Sequence, residues 1–215
     1  MKIKWYGQSC FLITSGEGVR IVLDPYKSED YLKYAEVREK ADLVTVSHDH
    51  YDHNYTALLT GNPEVIKGRG DRNVKGIAVK GVAAWHDGSQ GKEKGQNTVF
   101  CLTVDGMQVC HTGDIGHLLT DEQLKEIGKV DILMLPVGGV FTIGIDLATD
   151  LMEQLKPKVT IPMHYKTDKV TWLKYTADDF AEGKRNVVRL NGSEVEINSA
   201  GLPGNDQIII LQYAR

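Results

Sequence analysis

The run His48-Asp49-His50-Tyr51-Asp52-His53 gathers three of the chain's seven histidines and a spare carboxylate into six residues. That density points to metal ligation, and the spacing divides the donors between two cations. The preceding LVTVS at 43–47 is a short β-branched run that reads as a buried strand, and such strands deliver loop residues at their carboxyl ends to a common site. His48 and His50, two apart in an extended exit, can converge on one ion. Asp52 and His53 open the next turn, where YDHNYTALL has a helical look, and there they point at a second ion beside the first. Imidazole suits zinc or iron, and a carboxylate adds tolerance for harder ions such as manganese. Four donors cannot complete two coordination shells, so the rest of the chain must supply more.

It offers three further candidates where strands end. His86 closes the apolar stretch GIAVKGVAAW ahead of a polar loop, Asp114 follows MQVCHTG, and His164 ends VTIPMHY. A lone histidine at any of these places would be an ordinary structural residue. Together with the first cluster they describe a site assembled from loops on one rim of a sheet scaffold.

The order H-x-H-x-D-H, then a histidine after a strand, then T-G-D, then P-M-H resembles the ligand series of the metallo-β-lactamase-fold hydrolase superfamily over almost the whole chain. By that resemblance His48, His50 and His86 hold a first metal, Asp52, His53 and His164 a second, and Asp114 bridges them. Asp24 in IVLDPY matches the superfamily's first motif, an aspartate that supports the metal loop from behind. The opening KIKWYGQSCFLI, the G-x-N-T after His86, GDIGH and IPMHYKTD look like the small stand-alone members related to ascorbate-6-phosphate lactonase. Those relatives read G-H-S-C-F near the start, where this chain carries Gln8.

The elements that must position these residues can be laid out coarsely. Strands are expected near 2–6, 9–14, 19–24, 43–47, 65–68, 75–85, 97–104, 107–112, 131–136, 159–163, 187–190 and 207–212. Helices are expected near 29–40, 52–60, 120–127, 147–155 and 177–183, the third opened by Thr120 and Gln123 at a capping-box spacing. Mostly antiparallel strands with helices outside predict an α+β fold, a four-layer αβ/βα sandwich of two sheets covered by helices. A two-residue turn at Asp105-Gly106 would pair Val104 with Met107, Cys101 with Cys110 and Phe100 with His111, making His111 structural.

Composition agrees with one enzyme domain spanning 1–215: 41% of the residues are apolar and no linker or low-complexity tract divides them. The start has no apolar core of a secretory signal, no run suits a membrane span, and three cysteines make no disulfide scaffold, which together predict a soluble protein of the reducing cytoplasm. Net charge of −4 and scattered Lys and Arg give no nucleic-acid footprint. A small-molecule substrate is expected, and neither nucleic acid nor membrane as a partner; oligomeric state is not legible.

The expected cofactors are two divalent ions, zinc first, with manganese or iron also compatible. Two such ions can lower the pKa of a shared water to about 7 and polarise a substrate oxygen, so a bridging hydroxide would attack an ester, lactone or phosphoester. Asp52 would orient it and take its proton as the catalytic carboxylate. No G-x-S-x-G elbow supplies another nucleophile. His117, Phe141, Tyr165 and Lys166 are candidate substrate contacts, Lys166 as an anchor for an anionic group. The alternatives are a di-iron redox or binding-only protein of the same fold and, further off, a nuclease.

Overall fold

In the computed structural model, which describes residues 1–204 and 206–214, fourteen strands form two sheets. The first contains β1 (Lys2–Gly7), β2 (Cys10–Thr14), β3 (Arg20–Leu23), β4 (Leu43–Val46) and β5 (Glu64–Lys67), with β13 (Glu194–Glu196) on the edge beside β1. The second contains β6 (Gly70–Val74), β7 (Ile77–Trp85), β8 (Gln96–Val104), β9 (Met107–His111), β10 (Ile132–Pro136), β11 (Val159–Met163), β12 (Val187–Arg189) and β14 (Gln207–Ile210). Its spatial order is β12-β14-β11-β10-β9-β8-β7-β6.

Strict alternation decides what each face of the first sheet meets. Ile3, Trp5, Phe11, Ile13, Ile21, Leu23 and Leu43 join the core shared with Phe100, Val109, Leu133 and Leu135 of the second sheet. Their neighbours Tyr6, Cys10, Leu12, Val22, Val44 and Val46 face the opposite way and pack under Tyr26, Leu32, Tyr34 and Val37. Two fully occupied faces explain why these strands read as apolar throughout.

Three helices occur among the described residues: α1 (Asp121–Ile127), α2 (Ile145–Leu155) and α3 (Ala177–Ala181). The expected capping box at Thr120 and Gln123 is present at the start of α1. α2 buries Ala148, Leu151, Met152 and Leu155, a single stripe at helical spacing, and lies against β10.

The helices expected at 29–40 and 52–60 are not formed. In the first segment Leu32, Tyr34, Val37 and Ala41 are all buried along an irregular chain. Each fills the outer face of the first sheet, and the Tyr26 hydroxyl donates to Ala35 O at 2.8 Å within this irregular layer. In the second, His53 N and Asn54 N both donate to His50 O, closing one turn, after which Tyr55 N is captured by Pro25 O at 2.7 Å. Tertiary partners overrode local propensity in both places. The sheets are also mixed rather than mostly antiparallel: six of the twelve pairings are parallel. β6 and β13, short polar edge strands, had no apolar pattern by which to be read.

The β8–β9 hairpin has the expected register, with Val104 opposite Met107, Cys101 opposite Cys110 and Phe100 opposite His111. All three cysteines are free and buried. No helix among the described residues is long and apolar enough to cross a membrane.

Candidate metal centre

Antiparallel pairing of β7 with β8 and of β8 with β9 makes β7 run with β9, β10 and β11, so their carboxyl ends share one rim. His86, Asp114 and His164 follow the ends of β7, β9 and β11 on that rim, and His48 follows β4 of the other sheet. A backbone bond from Thr98 N to Ser47 O, 2.9 Å, joins the two sheets there. The result is two donor groups that share no residue, His48 with His50 and His86, and Asp52 with His53, Asp114 and His164; a third set, Asp24 with His48 and His53, overlaps both. Within each, one ligand atom per residue lies within 4.8 Å of all the others.

Asp114 connects the two groups. Its Oδ2 stands 3.4 Å from His86 Nε2, 3.2 Å from His53 Nε2 and 3.2 Å from His164 Nε2. Asp52 Oδ2 lies 3.4 Å from His53 Nε2 and accepts from Gln8 Nε2 at 2.9 Å. Gln8, at the position where the resemblance implies histidine, thus braces the carboxylate expected to act in catalysis.

Asp24 sits behind the ligands, fully buried. Its Oδ1 accepts from Ser47 N at 2.8 Å, and its Oδ2 accepts from Ser47 Oγ at 2.5 Å and from His53 Nδ1 at 2.8 Å. With the Ser47 proton given to Asp24, His48 Nδ1 must donate to Ser47 Oγ, 2.9 Å away. Both imidazoles are therefore oriented with Nδ1 toward its partner and Nε2 toward the carboxylate side, and it is the neutral form, with the proton on Nδ1, whose Nε2 lone pair could ligate a metal. Nε2 of His48 and of His53 is buried without a hydrogen-bond partner. Orphaned buried nitrogens of this kind cost about 1–3 kcal/mol each. A cation accounts for them, and the imidazole and carboxylate donors fit a divalent ion.

The electrostatics agree. Burial pushes the His48 imidazole down to about 3, keeping it neutral. Burial would raise the Asp114 carboxyl, yet His164 and His53 outweigh it and hold it well below the usual carboxylate range. Asp52 behaves likewise under His53. Conversely, burial works against charge on His53, but Asp114 and Asp52 raise its imidazole well above the ordinary value. The pocket is built to hold positive charge between carboxylates.

Local backbone geometry contributes. Gln8, Asp24 and His164 adopt φ of 50°, 42° and 49°, the left-handed region that non-glycine residues avoid. His164 N is fixed by Gln8 O at 3.0 Å, so two of these residues support each other. Asn97 clamps the loop carrying Asp114, donating from Nδ2 to Thr112 O at 2.8 Å and accepting from Asp114 N at 3.1 Å. Asp87 organises the loop after His86, accepting from the backbone of Ser89, Gly91, Glu93 and Lys94.

The donors open on a cleft of about 490 Å³ whose wall includes Tyr51, Lys94, Phe141 and Trp172. Of the four expected substrate contacts only Phe141 is there. His117 is corrected to a structural brace: Nδ1 donates to Leu118 O at 2.7 Å and Nε2 accepts from Trp85 N at 3.0 Å, leaving neither nitrogen for substrate. Tyr165 is buried, packs at a tilt against Trp5 and donates to Leu211 O. Lys166 does not line the cleft. His111, expected to be structural, donates from Nε2 to Ser9 O at 2.9 Å. Lys94 and Trp172 went unread because each lies on an irregular loop following a ligand candidate, His86 and His164, and nothing in the local sequence says which side chain of such a loop turns back to the site.

Comparison with known proteins places these observations in a family. Residues 2–164 match the Beta-lactamase superfamily domain. A UPF0173 metal-dependent hydrolase of Pelotomaculum thermopropionicum is 31% identical, the match covering 94% of this chain and 98% of the relative. One from Carboxydothermus hydrogenoformans is 34% identical over 78% of this chain and 85% of the relative. Among solved structures, a protein of Thermotoga maritima assigned to the Zn-dependent hydrolases of the metallo-β-lactamase superfamily is 36% identical with a TM-score of 0.82, covering 98% of this chain and 97% of that one. The diiron β-hydroxylase CmlA of Streptomyces venezuelae, 12% identical with a TM-score of 0.62 over 84% of this chain and 48% of its own, shares the fold alone. With its rim of donors, layered sheets and matching relatives, the chain belongs to the metallo-β-lactamase-fold superfamily, among the UPF0173 metal-dependent hydrolases.

Proposed function

We propose that the chain hydrolyses a small ester, lactone or phosphoester at a dinuclear metal centre. The observation that carries this reading is Asp114, whose single oxygen lies within 3.4 Å of histidines from both donor groups. His48, His50 and His86 would hold one ion, Asp52, His53 and His164 the other, with Asp114 between them. Two bound divalent ions, zinc before manganese or iron, would supply a water acidified toward neutral pH and Lewis-acid polarisation of the scissile oxygen.

The chain's own residues do the rest. Asp24 fixes His53 directly and His48 through Ser47, so the ligands are set before substrate arrives. Gln8 holds Asp52 Oδ2, leaving Oδ1, which has no hydrogen bond among the described residues, to accept the proton of the attacking water. The cleft size suits a small molecule.

The test is metal content measured alongside turnover of a chromogenic phosphodiester, a lactone, a thioester and a β-lactam, before and after reconstitution with zinc or manganese. About two ions per chain with turnover of one ester class is expected. Undiminished turnover after chelation would overturn the proposal, and redox-active iron with oxygen consumption would replace it.

A further inference from the structure

The cleft wall is asymmetric in a way that the hydrolytic reading does not require. Among the described residues Lys94 is the only lysine or arginine lining it. Its ammonium is positioned rather than loose: it donates to Phe141 O at 3.0 Å and stands 5.4 Å from the centre of the Phe141 ring. No carboxylate pairs with it among the described residues. The two acidic side chains on the rim are engaged elsewhere, Asp49 with Lys67 at 2.5 Å and Glu93 as acceptor from Ser89 Oγ at 2.9 Å. Lys94 therefore keeps two N–H groups and an unmatched charge at the mouth of the site.

Beside Lys94 lies an aromatic surface that runs from Phe141 to a ligand candidate. The Trp172 ring meets His164 edge-on with centroids 6.3 Å apart and packs against Phe141 at 5.4 Å. Trp172 Nε1 donates to Tyr31 O at 2.8 Å, which fixes the plane of the indole. Phe141 is nonetheless 48% exposed, and an apolar ring left open beside a polar centre marks a place where a ligand's apolar part is buried.

Resting on the hydrolase reading, we propose that Lys94 and the Phe141–Trp172 wall select the substrate class: a small anion whose charged group is met by Lys94 and whose aryl or bulky alkyl arm lies along the two rings. The anchor role expected of Lys166 thereby passes to Lys94, which arrives from the loop that Asp87 organises.

The experiment is calorimetric binding of three probes that cannot be hydrolysed, phenylphosphonate, methylphosphonate and benzyl alcohol, to the metal-reconstituted protein and to Lys94→Met and Phe141→Ala. Metal content and melting temperature of each variant are measured in parallel; both side chains are surface-accessible, so the fold is expected to persist. Phenylphosphonate should bind about tenfold more tightly than methylphosphonate, and Phe141→Ala should bring the two within about twofold. Lys94→Met should weaken both phosphonates about fivefold or more while leaving benzyl alcohol unchanged. A wild-type preference under threefold, or equal losses for all three probes in Lys94→Met, overturns the proposal. Because binding is read without turnover, failure of the hydrolytic panel and failure of this selectivity are separate results.

Discussion

Asp24 Oδ2 accepts from His53 Nδ1 at 2.8 Å with both side chains fully buried. That one bond sets the tautomer of a metal-ligand candidate from behind, and the same carboxylate reaches His48 through Ser47. Asp24→Asn keeps the volume but removes an acceptor and the charge. Metal affinity should fall about 10- to 100-fold, read by competition with a chromogenic chelator, with circular dichroism unchanged. Unaltered affinity would mean the ligand rings are positioned by packing alone.

Asp114 spans both donor groups, whereas His50 serves one. Asp114→Ala should therefore lose both activity and bound metal at the two positions, while His50→Ala should retain metal at the Asp52, His53 and His164 side. Metal analysis by mass spectrometry distinguishes the two; equal stoichiometry in both variants would rule out the bridging role proposed for Asp114.

Gln8 Nε2 donates to Asp52 at 2.9 Å inside the buried centre. A hydrogen bond to a charged group contributes about 1.5–3 kcal/mol, so Gln8→Leu should lower kcat/KM about 10- to 100-fold. Metal content should stay near that of the parent, since Gln8 is not among the donors. Gln8→His should recover part of the rate.

Gly113 carries φ of 55°, and a Cβ there would stand 2.4 Å from Asn97 Oδ1 and 2.6 Å from Ser47 Cβ. Gly113→Ala pushes apart the Asn97 clamp and the Ser47 support of two ligand loops at once. Destabilisation of about 1–3 kcal/mol is expected in urea melts, together with weaker metal retention.

Burial would raise the Asp87 carboxyl, but the backbone N–H of Lys94 and the Ser89 hydroxyl, with further loop donors, hold it below its ordinary value. A carboxyl depressed in the fold stabilises fully above its unfolded pKa of about 3.9, and that contribution is lost as pH falls through the lower folded value. Urea midpoints of the parent should thus exceed those of Asp87→Asn by a constant margin from about pH 5 upward, narrowing below about pH 4. A margin independent of pH would show that the loop does not need the charge.

Much of this molecule was written locally. The ligand series could be read because each donor follows a strand, and strands of Val, Ile and Leu announce themselves; the Asp105-Gly106 turn likewise determined which residue faces which across β8 and β9. The capping box at Thr120 belongs to the same class, since both partners lie within one turn. What tertiary structure alone decided are contacts between segments distant in the chain. Tyr55 N meeting Pro25 O stopped a helix that local sequence favoured, and Trp85 N, from a distant strand, took the Nε2 of His117 out of the site. Lys94, Phe141 and Trp172 come from three loops, and no spacing links them until the rim brings them together. The physical reason is range: strand patterns, turns and caps act over a few residues, whereas a cleft wall exists only after two sheets have packed and fixed where each loop emerges.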